Sequence, residues 1–126
     1  MIACDYCGSE AMLVDGTVIY SHRSDLHHLR FWQCKPCDAW VGCHKETDKP
    51  LGRLADRELR EAKRGAHIAF DELWKRTTPA GSFDRSGAYK WLAKQLGITR
   101  EQCHIGLFDL NTCRKVVELC ERRNGR

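Results

Sequence analysis

The sequence predicts an α+β fold: an N-terminal antiparallel β zinc ribbon packed against three to four C-terminal helices. Three observations predict it. Two Cys-x-x-Cys pairs, Cys4 to Cys7 and Cys34 to Cys37, are separated by 26 residues. The segments between and just after them carry short apolar runs of the kind that form strands. Beyond Pro50-Leu51-Gly52 the apolar spacing lengthens to the three- and four-residue steps of helices. The 126 residues divide into a ribbon over 1–50 and a basic helical region over 51–126, expected to pack as one compact unit.

The β elements come first. Glu10 to Val14 and Thr17 to Tyr20 flank Asp15-Gly16, a dipeptide suited to a two-residue hairpin turn. Ser21 to His28 is polar and reads as a loop, with His22, His27 and His28 solvated. Leu29 to Cys34 and Ala39 to Cys43 read as two further strands around the second cysteine pair.

The helices follow. From Asp56 to about residue 76, Leu59, Ala62, Ala66, Phe70, Leu73 and Trp74 trace one apolar face, and residues 78–82 (TPAGS) end the helix. A second helix spans Arg85 to Leu96, with Asp84 as N-cap and Gly97 as its stop. Thr99 and Gln102 have capping-box spacing for a short third helix. Asp109 can cap a last helix whose apolar face is Cys113, Val116, Val117 and Cys120. Ala93 and Gly97 also match a helix-turn-helix pattern, although Gly106 leaves little room for a reading helix. Tyr89, Trp91 and Phe108 read as core.

The cysteines carry the chemistry. Two residues between ligands let a tight turn aim two sulfurs at one ion, and two such turns supply the four soft ligands of a tetrahedral zinc site. Cys4, Cys7, Cys34 and Cys37 are therefore the expected ligands of one structural Zn2+. Such a site is closed and leaves no position for a reacting water. The N-terminus has no basic start and apolar stretch of a secretory signal, and no apolar run approaches the roughly 20 residues of a membrane span. A cytoplasmic location, in a bacterium or an infected host cell, is expected, and membrane association is not.

The remaining candidates divide by half of the chain. Cys43 shares an expected strand face with Cys37, Ala39 and Val41 and reads as a small buried residue. His44 reads as a satisfied histidine, or as a ligand in place of a cysteine. With Cys103 and His104 these two form a candidate second Cys/His site. His67 and Asp71, four apart on a helix, can touch and form an orienting pair of the kind used in catalysis, though no nucleophile accompanies them. The net charge of +4 is uneven: residues 45–126 carry eighteen Lys and Arg against twelve Asp and Glu. Within that half Arg53, Arg57, Arg60 and Arg64 form a basic stripe suited to phosphates, alternatively a solvated face laced by acids. Trp32 and Trp40 flank the second cysteine pair and are candidates to stack on bases.

Taken together, CDYCG, FWQCKPCDAWVGCH, PLGRLADRELREAKRGAHIAFDELW, AYKWLAKQLGI and CHIGLF make the chain resemble a small zinc-finger-containing domain family of bacteria and their phages. The resemblance runs from Cys4 to about Cys113. It implies zinc on Cys4, Cys7, Cys34 and Cys37, and it marks Cys43–His44, His67–Asp71 and Cys103–Gly106 as parts of a recurring pattern without giving them a role. No activity comes with it.

The functional expectation is a non-enzymatic zinc ribbon that binds DNA or RNA through its basic helical surface. A protein-interaction module acting on a host enzyme is the alternative, and a metal-dependent nuclease or hydrolase using His67 and Asp71 comes third.

Overall fold

The computed structural model describes residues 1–75 and 83–125. The chain forms two compact units, Met1–Glu58 and Leu59–Arg126.

In the first unit, strands β1 (Met12–Asp15), β2 (Arg30–Cys34) and β3 (Ala39–Gly42) form an antiparallel sheet in the order β1-β2-β3. Leu13 pairs with Trp32, Trp32 with Val41, and Cys34 with Ala39. Because side chains alternate along a strand, these five residues share one face. That face meets Cys4, Ala11 and Leu54 in a small core, with Ile2 and Cys37 packed against it. Trp40 exchanges two backbone hydrogen bonds with Ala55, at 3.1 and 2.9 Å, which lays the chain after Pro50 along the outer edge of β3.

The expected hairpin at Asp15-Gly16 does not form. Instead Asp15 caps a single helical turn, α1 (Gly16–Ile19), by accepting the Thr17 N–H at 2.9 Å and the Thr17 hydroxyl. The chain then passes through a polar excursion, with one 3-10 turn at Ser24–Leu26, before returning as β2. A short polar side chain that closes its own backbone turn competes with the hairpin, and here it prevails. Gly16 has a different use from the one its neighbour suggested. A Cβ there would lie 1.9 Å from the Leu26 carbonyl oxygen, so glycine is needed for close passage of two backbones. His27 is likewise half-buried where solvation was expected. Its Nε2–H donates to the Tyr20 and Ser21 carbonyls at 3.1 and 3.2 Å and ties the excursion shut.

The second unit is helical. Helix α2 (Arg57–Lys75) buries Leu59, Ala66, Ala69, Phe70 and Leu73. Ala62 and Trp74 are half-buried at the margin of this face. Helix α3 (Arg85–Leu96) starts at Asp84, whose side chain accepts the Gly87 N–H, and stops at Gly97 in the left-handed conformation, φ 68°. Helix α4 (Leu110–Arg123) starts at Asp109, which accepts the Thr112 N–H at 2.8 Å. Cys113, Val116 and Cys120 are buried along it, with Val117 half-buried. The core gathers Phe70, Leu73, Leu92, Cys103, Ile105 and Val116, all below 2% exposed. Phe70 lies against Tyr89 with ring centroids 4.4 Å apart. The expected end of α2 at residues 78–82 lies outside the described residues.

The short third helix is absent, although its capping box is built. Thr99 N–H donates to Gln102 Oε1 at 3.1 Å and Gln102 N–H donates to Thr99 Oγ1 at 3.2 Å. The box closes one turn and no more. Cys103, Ile105 and Phe108 are all buried, a spacing no single helix face offers, so the chain extends through His104 and makes a 3-10 turn at Ile105–Leu107. The helix-turn-helix pattern therefore has no reading helix directly after the turn at Gly97; the next α-helix begins at Leu110.

Candidate metal centre

The first cysteine turn is shaped by its own backbone. Tyr6 N–H points at Cys4 Sγ, 3.4 Å away, and Gly8 N–H donates to the Cys4 carbonyl at 2.9 Å. Gly8 sits at φ 76°, as a turn that doubles back beneath a metal requires. Cys4 N–H donates to Ser9 O at 2.8 Å and fastens the turn at its base. The second turn, between β2 and β3, shares the positive φ after its second cysteine but closes with a different hydrogen bond. Asp38 N–H donates to Lys35 O at 3.0 Å, and Asp38, the residue after the second cysteine, takes φ 51°.

The two turns bring Cys4, Cys7, Cys34 and Cys37 together, with all four Sγ atoms within 4.8 Å of one another. Cys7 Sγ and Cys34 Sγ are 3.7 Å apart. Tetrahedral zinc with bonds of about 2.3 Å demands sulfur–sulfur edges of about 3.8 Å, so the set fits one structural zinc ion. Cys4 and Cys34 are buried, Cys37 half-buried and Cys7 exposed. Proton affinities within the set are split. Cys7 is pulled down to about 6, first by the Ser9 hydroxyl and N–H, then by the Cys37 and Cys34 thiols. Cys37 is pushed up to about 12, first through its hydrogen bond with Cys7 and then by burial. One thiolate thus leads, and a neighbour keeps its proton until a cation replaces it. Zinc bound here supplies a cross-link between the N-terminus and the β2–β3 turn.

What the turn holds is visible in the two residues between its cysteines. Asp5 Oδ2 accepts the Leu54 N–H at 2.8 Å, and Tyr6 Oη accepts the Asp56 N–H at 2.9 Å. Both donors lie in the few residues that lead into α2. The first knuckle therefore grips the sulfurs with its outer residues and the approach to the long helix with its inner ones. Tyr6 has its phenol raised by burial, against the pull of the Asp56 N–H.

A family model described as a zinc-finger-containing domain matches residues 1–123. The chain belongs to that family. Comparisons with curated proteins and with solved structures give no match. Among the described residues of this zinc-finger-containing domain, the four cysteines are the only group of three or more His, Cys, Asp or Glu side chains placed to hold one metal ion.

The other candidate residues stand as follows. Cys43 is half-buried, not buried as expected: it lies just past the end of β3, where its N–H donates to the Arg30 carbonyl at 3.2 Å and it bridges to Pro50. With the exposed His44 it lines a cleft of about 560 Å3 beside His28, Arg30 and Lys45. Burial pushes the Cys43 thiol up. Cys103 is fully buried in the core of the helical unit, and its neighbour His104 is exposed.

Asp71 is engaged by Trp74, whose indole N–H donates at 3.2 Å, and by Lys75 at 3.4 Å. It acts on His67 through charge alone. His67 is lowered, first by loss of water around its ring, with Lys63 and Arg85 adding to that and Asp71 opposing it.

Arg57, Arg60 and Arg64 fall within an arc of about 60° on α2, since each residue turns the helix by about 100°. The arc faces away from Leu59, Ala66, Phe70 and Leu73. Arg57 and Arg64 are exposed and Arg60 half-buried; Arg53, also exposed, precedes the helix. Arg53, Arg57 and Arg60 also interact with other groups of the chain. Trp32 and Trp40, both half-buried, lie on opposite faces of the sheet, so they make no joint platform. Trp32 packs on the zinc-side core and its indole N–H donates to Asp48 O at 2.6 Å. Asp5, Tyr6, Ser9 and Asp38 escaped the sequence reading. Their position inside or just after the cysteine pairs was the available signal.

Proposed function

We propose that this zinc-finger-containing domain binds nucleic acid without catalysis, its ribbon fastening the start of a helix whose arginine arc takes the phosphate backbone. The observation that carries the reading is the arc of Arg57, Arg60 and Arg64, turned away from the buried face of α2. These three guanidinium groups span about 10 Å along the axis and can each grip a phosphate with two parallel hydrogen bonds. Arg53 adds a fourth cation close to the helix start. The excess of positive charge in residues 45–126 supports the same partner. Trp32 is committed to the core, so the arginines carry the reading rather than base stacking on the ribbon.

The test is an electrophoretic mobility shift at low salt on duplex DNA, single-stranded DNA and RNA. Binding is expected with a log–log salt slope of about −3, reduced by about one for each arginine replaced by alanine. No shift on any of the three substrates counts the reading out.

A second reading, a protein-interaction module, is favoured by a different observation. The outermost strand β1 and the turn after it expose Met12, Leu13 and Val18 at 66, 39 and 54%. Apolar side chains on an edge strand suit strand addition by a protein partner. A pull-down from nuclease-treated lysate separates the two: a partner retained by the native protein and lost on Leu13→Lys favours this reading.

A further inference from the structure

The helical unit holds a pocket of about 440 Å3 between the end of α3 and the start of α4. Among its lining residues the buried Phe108 and half-buried Leu96 and Ile98 make an apolar floor, and the exposed Gln102, Asn111 and Lys115 stand at its rim. We infer that this pocket takes one unstacked base of a single-stranded nucleic acid, with Lys115 on the adjoining phosphate. The inference rests on the nucleic-acid reading above and gives it a strand preference.

Four features of the lining argue for a nucleotide. The volume lies within the range of small-molecule sites, roughly 300–1,000 Å3. The apolar floor matches the flat face of a base, which stacking proteins meet with sequence tolerance. Above it stand two side-chain amides, the groups best able to answer the mixed donors and acceptors of a base edge. Gln102 is held ready for this. Its Oε1 is occupied by the Thr99 N–H at 3.1 Å, so its NH2 group is the part left to donate outward. The capping box that fails to start a helix therefore has a use: it orients Gln102. The lining includes one charge, the Lys115 cation, and no acid, which suits an anion. A fatty carboxylate would match the cation but leave both amides without partners, and a duplex offers no base face to the floor.

The zinc-loaded full chain tests this with a labelled oligothymidylate of about twelve nucleotides against a duplex of equal length. Fluorescence anisotropy is expected to show about tenfold tighter binding to the single strand. Gln102→Glu keeps an oxygen for Thr99 while removing the donors. Together with Asn111→Ala, also at an exposed position, it is expected to abolish that preference, and Asn111→Ala alone, which adds no charge, to weaken it. Equal affinity for both strands, or a double variant that keeps the preference, overturns the inference and leaves the arginine reading standing.

An NMR titration with thymidine 5′-monophosphate reads the pocket independently of α2. Shifts in the Ile98, Phe108 and Asn111 amides support the pocket, even if the arginine variants prove silent. No shift there, or shifts with octanoate alone, overturns it.

Discussion

The grip of the first knuckle on the approach to α2 is open to a direct energetic test. Leu54 is 1% exposed, and its N–H is satisfied by the Asp5 carboxylate at 2.8 Å. Asp5→Ala leaves that donor without an acceptor in a place water reaches poorly. A buried donor so stranded costs about 1–3 kcal/mol, and the lost acceptor is charged, so about 2 kcal/mol is expected. Asp5→Asn keeps an oxygen in the same place and is expected to cost under about 1 kcal/mol. Tyr6→Phe removes a neutral acceptor from the Asp56 N–H and is expected to cost about 1 kcal/mol. None of the three touches a sulfur, so each variant should still hold one zinc per chain. Urea unfolding of the zinc-loaded proteins gives the energies, and hydrogen exchange at the Leu54 and Asp56 amides locates them. If Asp5→Ala unfolds within about 0.5 kcal/mol of the parent, with its Leu54 amide still protected, the knuckle does not hold the helix approach.

Other outcomes follow from neighbouring features. Gly16→Ala drives a Cβ into the Leu26 carbonyl and is expected to cost about 3 kcal/mol or more. Gly65→Ala, where the nearest atom outside the helix backbone is Val117 Cγ2 at 3.9 Å, should stabilise α2 by about 0.5–1 kcal/mol; denaturation midpoints check both. Cys34→Ser, or a strong chelator, removes a metal worth on the order of 10 kcal/mol in small zinc peptides, so the ribbon is expected to lose its strand signal by circular dichroism. Zinc affinity should fall as pH falls, because the raised Cys37 proton must leave before the metal binds. At neutral pH that is at least about tenfold per unit, read by competition with a colorimetric chelator. Asp109→Ala removes the cap on the Thr112 N–H and should cost α4 about 1 kcal/mol by thermal melting.

Much of this architecture is legible in one dimension because its causes are local. Cys-x-x-Cys spacing forces two sulfurs to one side of a turn, and two such turns leave a tetrahedral ion as the shared solution. Asp84 and Gly97 bound α3 for reasons contained in their own side chains: a carboxylate that reaches an N–H, and no Cβ to oppose a left-handed backbone. The reading failed where a local signal had two outcomes and a distant contact chose between them. Asp15-Gly16 suits a hairpin turn and equally a capped helical turn, and the backbone of Leu26 selects the second. Thr99 and Gln102 form their box, but burial of Cys103, Ile105 and Phe108 together rules out a continuing helix. Asp5 and Tyr6 were invisible because their partners, Leu54 and Asp56, stand some fifty residues away in sequence.

The four sulfurs are unequally sheltered, and this bears on how a bound metal would be lost. Cys4 and Cys34 are sealed in the ribbon core, whereas Cys7 stands at the surface. With zinc bound, a chelating solute or a peroxide would meet the Cys7 thiolate before the three more sheltered sulfurs. Shielding Cys7 would then be expected to lengthen the lifetime of the bound ion while leaving the sealed Cys4 and Cys34 side of the ribbon as it is.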